Sequence, residues 1–328
     1  MKKLLAVSLL IALLLCGCAS NAPVEREIFA MDTVMTVRVW GDDSDVAAAV
    51  SEINRLDALL SVIYENSEVY ALNRDGEAEL SFDVFDLLVE AIEVSRRTDG
   101  AFDPTVYPFV ELWGFTKDTQ ALPSQREIDA VLPLIGFEQV ECDGDTVTLV
   151  NGGKIDLGGI AKGYTAQKVV ELLQERGVET AFLNLGGNVQ TLGSKPDGEA
   201  WVVGIADPEN PSQAIACLRF TDSLALVTSG GYQRYFEENG VRFHHILDPK
   251  TGCPADSGLA SVTVLAQDGA IADGLSTALF VMGIENATTL WRKSDDFEAV
   301  FITQDGAIFA TEGAASLLTD CEFTVIER

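Results

Sequence analysis

The chain has 328 residues, 47% hydrophobic and 22% charged, with 51 acidic against 22 basic side chains and a formal net charge of −29. That is enough apolar material for a sizeable core, and it excludes a disordered chain. So negative a surface repels the phosphate backbone and excludes nucleic acid as a partner.

The first segment reads as an address rather than as fold. Lys2 and Lys3 make a basic start, and Leu4 to Leu15 is an apolar run too short for a comfortable spanning helix. Leu15-Cys16-Gly17-Cys18 then resembles a bacterial lipobox, with the lipid on Cys18. Residues 1–17 are expected to be a signal peptide and 18–28 a tether. The chain 29–328 is expected to form one domain held at the extracytoplasmic face of a cell membrane. An ordinary secretory signal is the alternative.

Phe29 to Trp40 alternates apolar and polar residues and predicts one strand. Asp45 to Leu60 has helical spacing, as does Phe82 to Thr98, which Asp99-Gly100 ends. Pro108 to Gly136 reads as irregular, with a short helix near Ser124 to Val131. Asp145 to Val150 and Lys154 to Leu157 suggest a hairpin around Asn151-Gly152-Gly153. A helix from Ala161 to Arg176 stops at Gly177. Strands follow at Ala181 to Leu185, Trp201 to Ile205, Ala216 to Phe220, Leu224 to Thr228, Phe243 to Leu247 and Ser261 to Ala266. Ala270 to Met282 is helical, and Ala299 to Ile302 with Ile308 to Ala310 closes as a hairpin. Strands mixed with helices, without regular βαβ alternation, predict an α+β fold. Cys142, Cys217, Cys253 and Cys321 lie far apart in sequence, so no CxxC motif exists, and isolated buried thiols are expected.

The residues suited to chemistry fall at a few punctuated places. Asp273 and Thr277, four apart on a helix, share one face and offer hard oxygen ligands that suit Mg2+ better than Zn2+. The bland alternative for Asp273 is a capping or dipole role. Asp156-Leu157-Gly158-Gly159-Ile160-Ala161-Lys162-Gly163-Tyr164 joins a strand to a helix through paired glycines. There backbone approaches a ligand closely and helix N-terminal amides favour phosphate, with Lys162 adding charge. It matches neither the dinucleotide fingerprint nor the Walker loop. Asn184-Leu185-Gly186-Gly187-Asn188 and Ser229-Gly230-Gly231-Tyr232 repeat the glycine pair after strands, which suggests loop ends gathered around one extended ligand. His244 and His245 are the only histidines. Neighbours on a strand face opposite sides, so one of them at most faces a given pocket as a proton carrier. Ala101-Phe102-Asp103-Pro104-Thr105-Val106 and Leu112-Trp113-Gly114-Phe115 form an aromatic-rich loop, either a buried anchor or a wall of a flavin or adenine pocket.

In this order, with Met31-Asp32-Thr33, His245-Ile246-Leu247-Asp248-Pro249 and Ala272-Asp273-Gly274-Leu275-Ser276-Thr277, the motifs resemble the ApbE family of FAD:protein FMN transferases. The resemblance spans nearly the whole chain after the signal. It implies a single α+β domain with FAD in a cleft and Mg2+ at its pyrophosphate. The metal would be held by Gly159, Asp273 and Thr277. FAD contacts would fall at Met31, Ala101, Phe102, Asp103, Asp156, Lys162 and Ile246, with His245 as the functional histidine and Tyr64 or Tyr70 as a stacking partner. The implied reaction moves FMN from FAD to a Thr or Ser hydroxyl of an extracytoplasmic flavoprotein, such as a subunit of an Rnf- or Nqr-type redox complex, and releases AMP. Two alternatives keep the cleft: an FAD pyrophosphatase, and a non-catalytic flavin-binding lipoprotein.

Overall fold

The structure, a computed structural model, describes residues 22–116 and 119–328. The expected signal peptide, its cleavage point and the lipidated Cys18 lie outside those residues.

The core is a nine-stranded sheet whose spatial order follows the chain. Its strands are β1 (Val24–Ala30), β2 (Thr33–Val39), β3 (Ala181–Leu185), β4 (Asn188–Leu192), β5 (Ala225–Gly230), β6 (Leu259–Ala266), β7 (Phe297–Thr303), β8 (Ile308–Thr311) and β9 (Thr324–Ile326). Neighbours pair antiparallel except β8 with β9, which pair parallel. The longer helices are α1 (Asp43–Leu60), α2 (Glu68–Asp75), α3 (Phe82–Arg97), α4 (Tyr107–Trp113), α5 (Gln125–Val131), α6 (Ala161–Glu175) and α7 (Gly269–Trp291), with a single further turn at Glu312–Ala315. The two-residue alternation of the strands explains the layering. On β5 to β7, Val227, Val262, Val264, Ala299 and Phe301 pack with α7 and α3 on one face. Leu226, Leu265, Val300 and Ile302 pack on the other face against Trp201, Leu218 and Phe220 of a small second sheet. Both faces are therefore dry, and β6 is buried at seven of its eight residues, as its near-continuous apolar sequence requires. The α+β expectation holds, as one domain.

Several predicted elements change. The strand expected from Phe29 to Trp40 is two strands joined by a turn at Met31-Asp32, with φ of 47° and 59°. Two consecutive left-handed residues make the tight hairpin turn that suits strand twist, and Met-Asp carries none of the glycine or asparagine that normally signals it. The hairpin expected at 145–157 does not form. Thr146–Leu149 pairs instead with Glu77–Glu79 and Val140–Asp143. Asn73 replaces the missing ladder: its amide donates to Ile155 O and accepts from Ile155 N, both at 2.7 Å. The strand expected over Phe243 to Leu247 ends at His244, so residues 245–247 are free to turn into the cleft. Strand β4 was not expected, because Asn188-Val189-Gln190-Thr191-Leu192 reads as polar although every residue of it is buried. The thiols are free, as expected, but not buried: Cys142 is exposed and the other three are half-buried.

Burial, with Asp268 and Asp86 adding negative charge, pushes the Glu90 carboxyl on α3 up to about 7. Its Oε2 has no hydrogen-bond partner. The ionised form is the costly one, so the penalty is absent below the ordinary carboxyl range and complete above pH 7. Glu90→Gln is expected to raise the melting temperature at pH 8 by about 2 °C, after allowance for solvent screening, and to leave it unchanged at pH 4. Calorimetry at the two pH values checks this.

Candidate functional site

The cleft begins with two glycines. Gly163 in the first turn of α6 meets Gly269 at the start of α7. A Cβ on Gly163 would lie 2.0 Å from Gly269 O and 2.6 Å from Asp273 Cβ. Only hydrogen at that position lets the two helices touch backbone to backbone. The contact places Gly163 N–H 2.9 Å from Asp273 Oδ2, so the strand-to-helix motif and the later helix become one site.

Asp273 is 3% exposed. Burial holds its carboxyl above the usual carboxylate range, opposed by the Lys162 charge and the Gly163 hydrogen bond. One turn on, Thr277 Oγ1 lies 3.2 Å from Ser229 Oγ, which in turn bonds Ser276 Oγ at 2.8 Å. A Cβ built on Gly159 would sit 3.7 Å from Thr277 Oγ1 and 3.1 Å from the Phe102 ring, so the glycine pair lies directly beside the hydroxyl. A buried carboxylate, a hydroxyl and an adjacent backbone turn form a small set of hard oxygen donors. Among the described residues no group of three or more His, Cys, Asp or Glu side chains could hold a metal. Any cation here would therefore draw most of its ligands from neutral oxygens, water and a bound anion.

His245 shares the cleft, whereas His244 turns away, its Nε2 near Ala255 O and its ring edge-on to Phe280. His245 Nδ1 lies 3.1 Å from Arg234 O. A carbonyl only accepts, so Nδ1 carries the proton and Nε2 is left as the free acceptor. Burial pushes the ring down to about 4, against the Arg234 hydrogen bond, so it is neutral at neutral pH.

The cleft has a volume of ≈ 570 Å³, in the range of small-molecule sites. Met31, Ala101, Phe102, Asp103, Asp156, Gly159, Lys162, His245, Ile246, Asp273 and Thr277 all line it. Their settings differ. Asp103 has its carboxylate committed locally, accepting from Thr105 N at 2.8 Å, Thr105 Oγ1 at 2.6 Å and Phe137 N at 3.0 Å. It shapes the 101–106 loop from within. Asp156 accepts from Gly158 N at 2.8 Å, and burial raises its carboxyl. Lys162 Nζ has a long contact of 3.4 Å to Gly158 O and is available to an anion. Met31 sits in the strained turn, where Asp57 accepts its backbone N–H.

Neither Tyr64 nor Tyr70 lines the cleft; Phe102, Phe115 and Tyr232 supply its aromatic surface. The loop Leu112 to Phe115 divides its work. Trp113 is the buried anchor, donating to Gly252 O at 2.8 Å, and Phe115 faces the cleft. Sequence reasoning singled out the Ser229 motif but not its bond to Thr277, and it passed over Arg234, whose place on the wall is set by chain contacts no local pattern records.

Residues 31–301 match the model of the ApbE family. The chain is 34% identical to the FAD:protein FMN transferase of Treponema pallidum, over 96% of each protein, and 35% identical to that of Klebsiella pneumoniae, over 84% of this chain and 87% of the relative. The crystal structure of the ApbE protein of Thermotoga maritima superposes with a TM-score of 0.83 at 35% identity, covering 91% of this chain and all of that one. The apo flavinyl transferase ApbE of Pseudomonas stutzeri gives 0.80 at 29% identity, over 90% and 96%.

Proposed function

The chain belongs to the ApbE family, and from that membership we propose that it is an FAD:protein FMN transferase. One observation carries the reading beyond family likeness. The oxygen donors around Asp273 and a neutral histidine with its Nε2 free lie on the same cleft, and a protein that only stored flavin needs neither.

The donor set fits Mg2+. Asp273, Thr277 and the Gly159 carbonyl would hold it, and it would supply charge neutralisation at the substrate's pyrophosphate. The buried Asp273 carboxylate, raised by its surroundings, is the kind of group that a cation relieves. Lys162 and the positive end of the α6 dipole favour the phosphates. Phe102, Phe115 and Ile246 offer apolar wall to the rings.

The acceptor is a Thr or Ser hydroxyl of an extracytoplasmic flavoprotein of an electron-transfer complex, Rnf- or Nqr-type subunits being the class expected. His245 Nε2 takes the hydroxyl proton as the oxygen bonds to the FMN-side phosphorus. The bond from that phosphorus to the AMP oxygen breaks, and AMP leaves. A lipid on Cys18 would hold the enzyme at the membrane where such acceptors sit. If water replaced the hydroxyl, the same step would release free FMN. Counting AMP against labelled acceptor separates the two: a transferase gives one AMP per flavinylated chain, a hydrolase gives AMP without label.

His245 also fixes a pH dependence. The neutral base is present from about pH 4 upward, so the acid limb of kcat/KM is expected near pH 4 and not near the ordinary histidine value. His245→Gln should lower kcat by about 10²-fold and remove that limb. A pH–rate profile of the two enzymes checks both.

A further inference from the structure

Two cations line the cleft among the described residues, Lys162 and Arg234, and only the first has a part in the reaction above. Arg234 precedes the outer hairpin of Tyr235–Glu238 and Val241–His244, directly across from His245. Its two halves work in opposite directions. The carbonyl accepts both the backbone N–H of His245, at 3.0 Å, and Nδ1–H, at 3.1 Å. The guanidinium reaches away, donating to Phe115 O at 3.2 Å and pairing with Asp32 Oδ2 at 3.2 Å. Asp32 stands in the left-handed turn between β1 and β2, with φ 59°. The ion pair thus ties together two hairpins that both border the cleft.

This pair is built to be exchanged. The Arg234 side chain is 53% exposed and that of Asp32 70%. A single exposed pair adds little stability, and Asp32 is engaged through one oxygen only. A pyrophosphate offers a guanidinium several oxygens and the two-pronged geometry it prefers. The charge of Arg234 already acts on Asp156 and His245, as does that of Lys162, so an anion between the two cations would lie beside the base.

We propose that Arg234 is a phosphate-binding residue for the dinucleotide, held ready by Asp32 across the cleft mouth and handed from Asp32 to the substrate's pyrophosphate on binding. The proposal rests on the flavin-transferase reading and deepens it. Arg234 would set substrate affinity through its side chain, while its carbonyl fixes the tautomer of His245 independently. Truncating the side chain therefore leaves the base oriented.

The test uses the full enzyme with Mg2+. FAD affinity by calorimetry and steady-state transfer are measured for the parent, Arg234→Ala, Arg234→Lys, Asp32→Asn and the Arg234→Ala/Asp32→Asn double variant. Arg234→Ala is expected to raise Kd and KM for FAD by about 10-fold or more, with the acid limb of the pH profile kept and shifted upward only, as the positive charge beside His245 is lost. Arg234→Lys should recover part of that loss. Asp32→Asn should tighten FAD by about two- to threefold, and only while Arg234 is present. If Arg234→Ala binds FAD within twofold of a parent that transfers flavin, the proposal fails and the transferase reading stands. An equal gain from Asp32→Asn with or without Arg234 would reduce Asp32 to a plain repulsive charge and overturn the handover. A parent that does not bind FAD would instead bring down the reading on which the proposal rests.

Discussion

Asp273→Asn should lower flavin transfer by about 10²–10³-fold while making the substrate-free protein more stable above neutral pH. The two effects share one cause. The carboxylate is 3% exposed, its Oδ2 is spent on Gly163 N, and the one cation acting on it is the charge of Lys162. Folding without a bound cation therefore disfavours the ionised form. The cost is absent below the ordinary carboxyl pKa and grows as pH rises above it. Asparagine keeps an oxygen for Gly163 N and sheds the charge, so the variant should melt higher than the parent at pH 8 and equally at pH 3.5. It loses the anionic donor that a divalent cation needs. Melting curves at both pH values, beside a transfer assay, test the pairing. A variant that is inactive and also less stable at pH 8 would show that Asp273 serves the fold rather than a cation.

Gly163→Ala is the second large effect. Its new Cβ would meet Gly269 O at 2.0 Å and Asp273 Cβ at 2.6 Å. Both neighbours are held by α7, which packs on the central sheet, so neither yields cheaply. Helices α6 and α7 must separate, at a cost on the order of 3 kcal/mol or more. The melting temperature is expected to fall by about 6–10 °C. Activity should fall further than stability, because the same displacement pulls Gly163 N–H away from Asp273 Oδ2. Gly177→Ala is the control: it has a left-handed φ of 83° but nothing within 4 Å of its Cβ, so it should lose stability without losing the site. Thermal melts and transfer rates of the two variants, compared where both are folded, separate packing at the site from backbone strain elsewhere.

The sequence made the site legible far better than it made the fold around it. Asp273 and Thr277 share a helix face by spacing alone, and the Asp156 to Tyr164 segment marks itself by paired glycines between a strand and a helix. Those are local signals, and the structure draws both segments to one cleft. The resemblance supplied the remaining residues, including Met31, Ala101 and Ile246, none of which has a chemical group that would attract notice. What stayed hidden was set by distant contacts. The turn at Met31-Asp32 has no glycine and is held by Asp57 from α1. The failed hairpin at 145–157 depends on Asn73, some eighty residues earlier, taking over the peptide groups of Ile155. Strand β4 hides its burial behind Gln190 and Thr191, whose side chains find partners in Gln167 and the backbone of Asp222. Arg234 belongs to the same group, since its role follows from an ion pair across the cleft to Asp32.

The central claim is that this cleft moves FMN from FAD to a protein hydroxyl. Intact mass spectrometry tests it most directly. A purified extracytoplasmic flavoprotein acceptor is incubated with the enzyme, FAD and Mg2+, beside an Asp273→Asn control. One FMN-sized mass gain on the acceptor, abolished in the control and by changing its acceptor Thr or Ser to Ala, is the predicted result. Free FMN and AMP with an unlabelled acceptor, or FAD left intact, would contradict it.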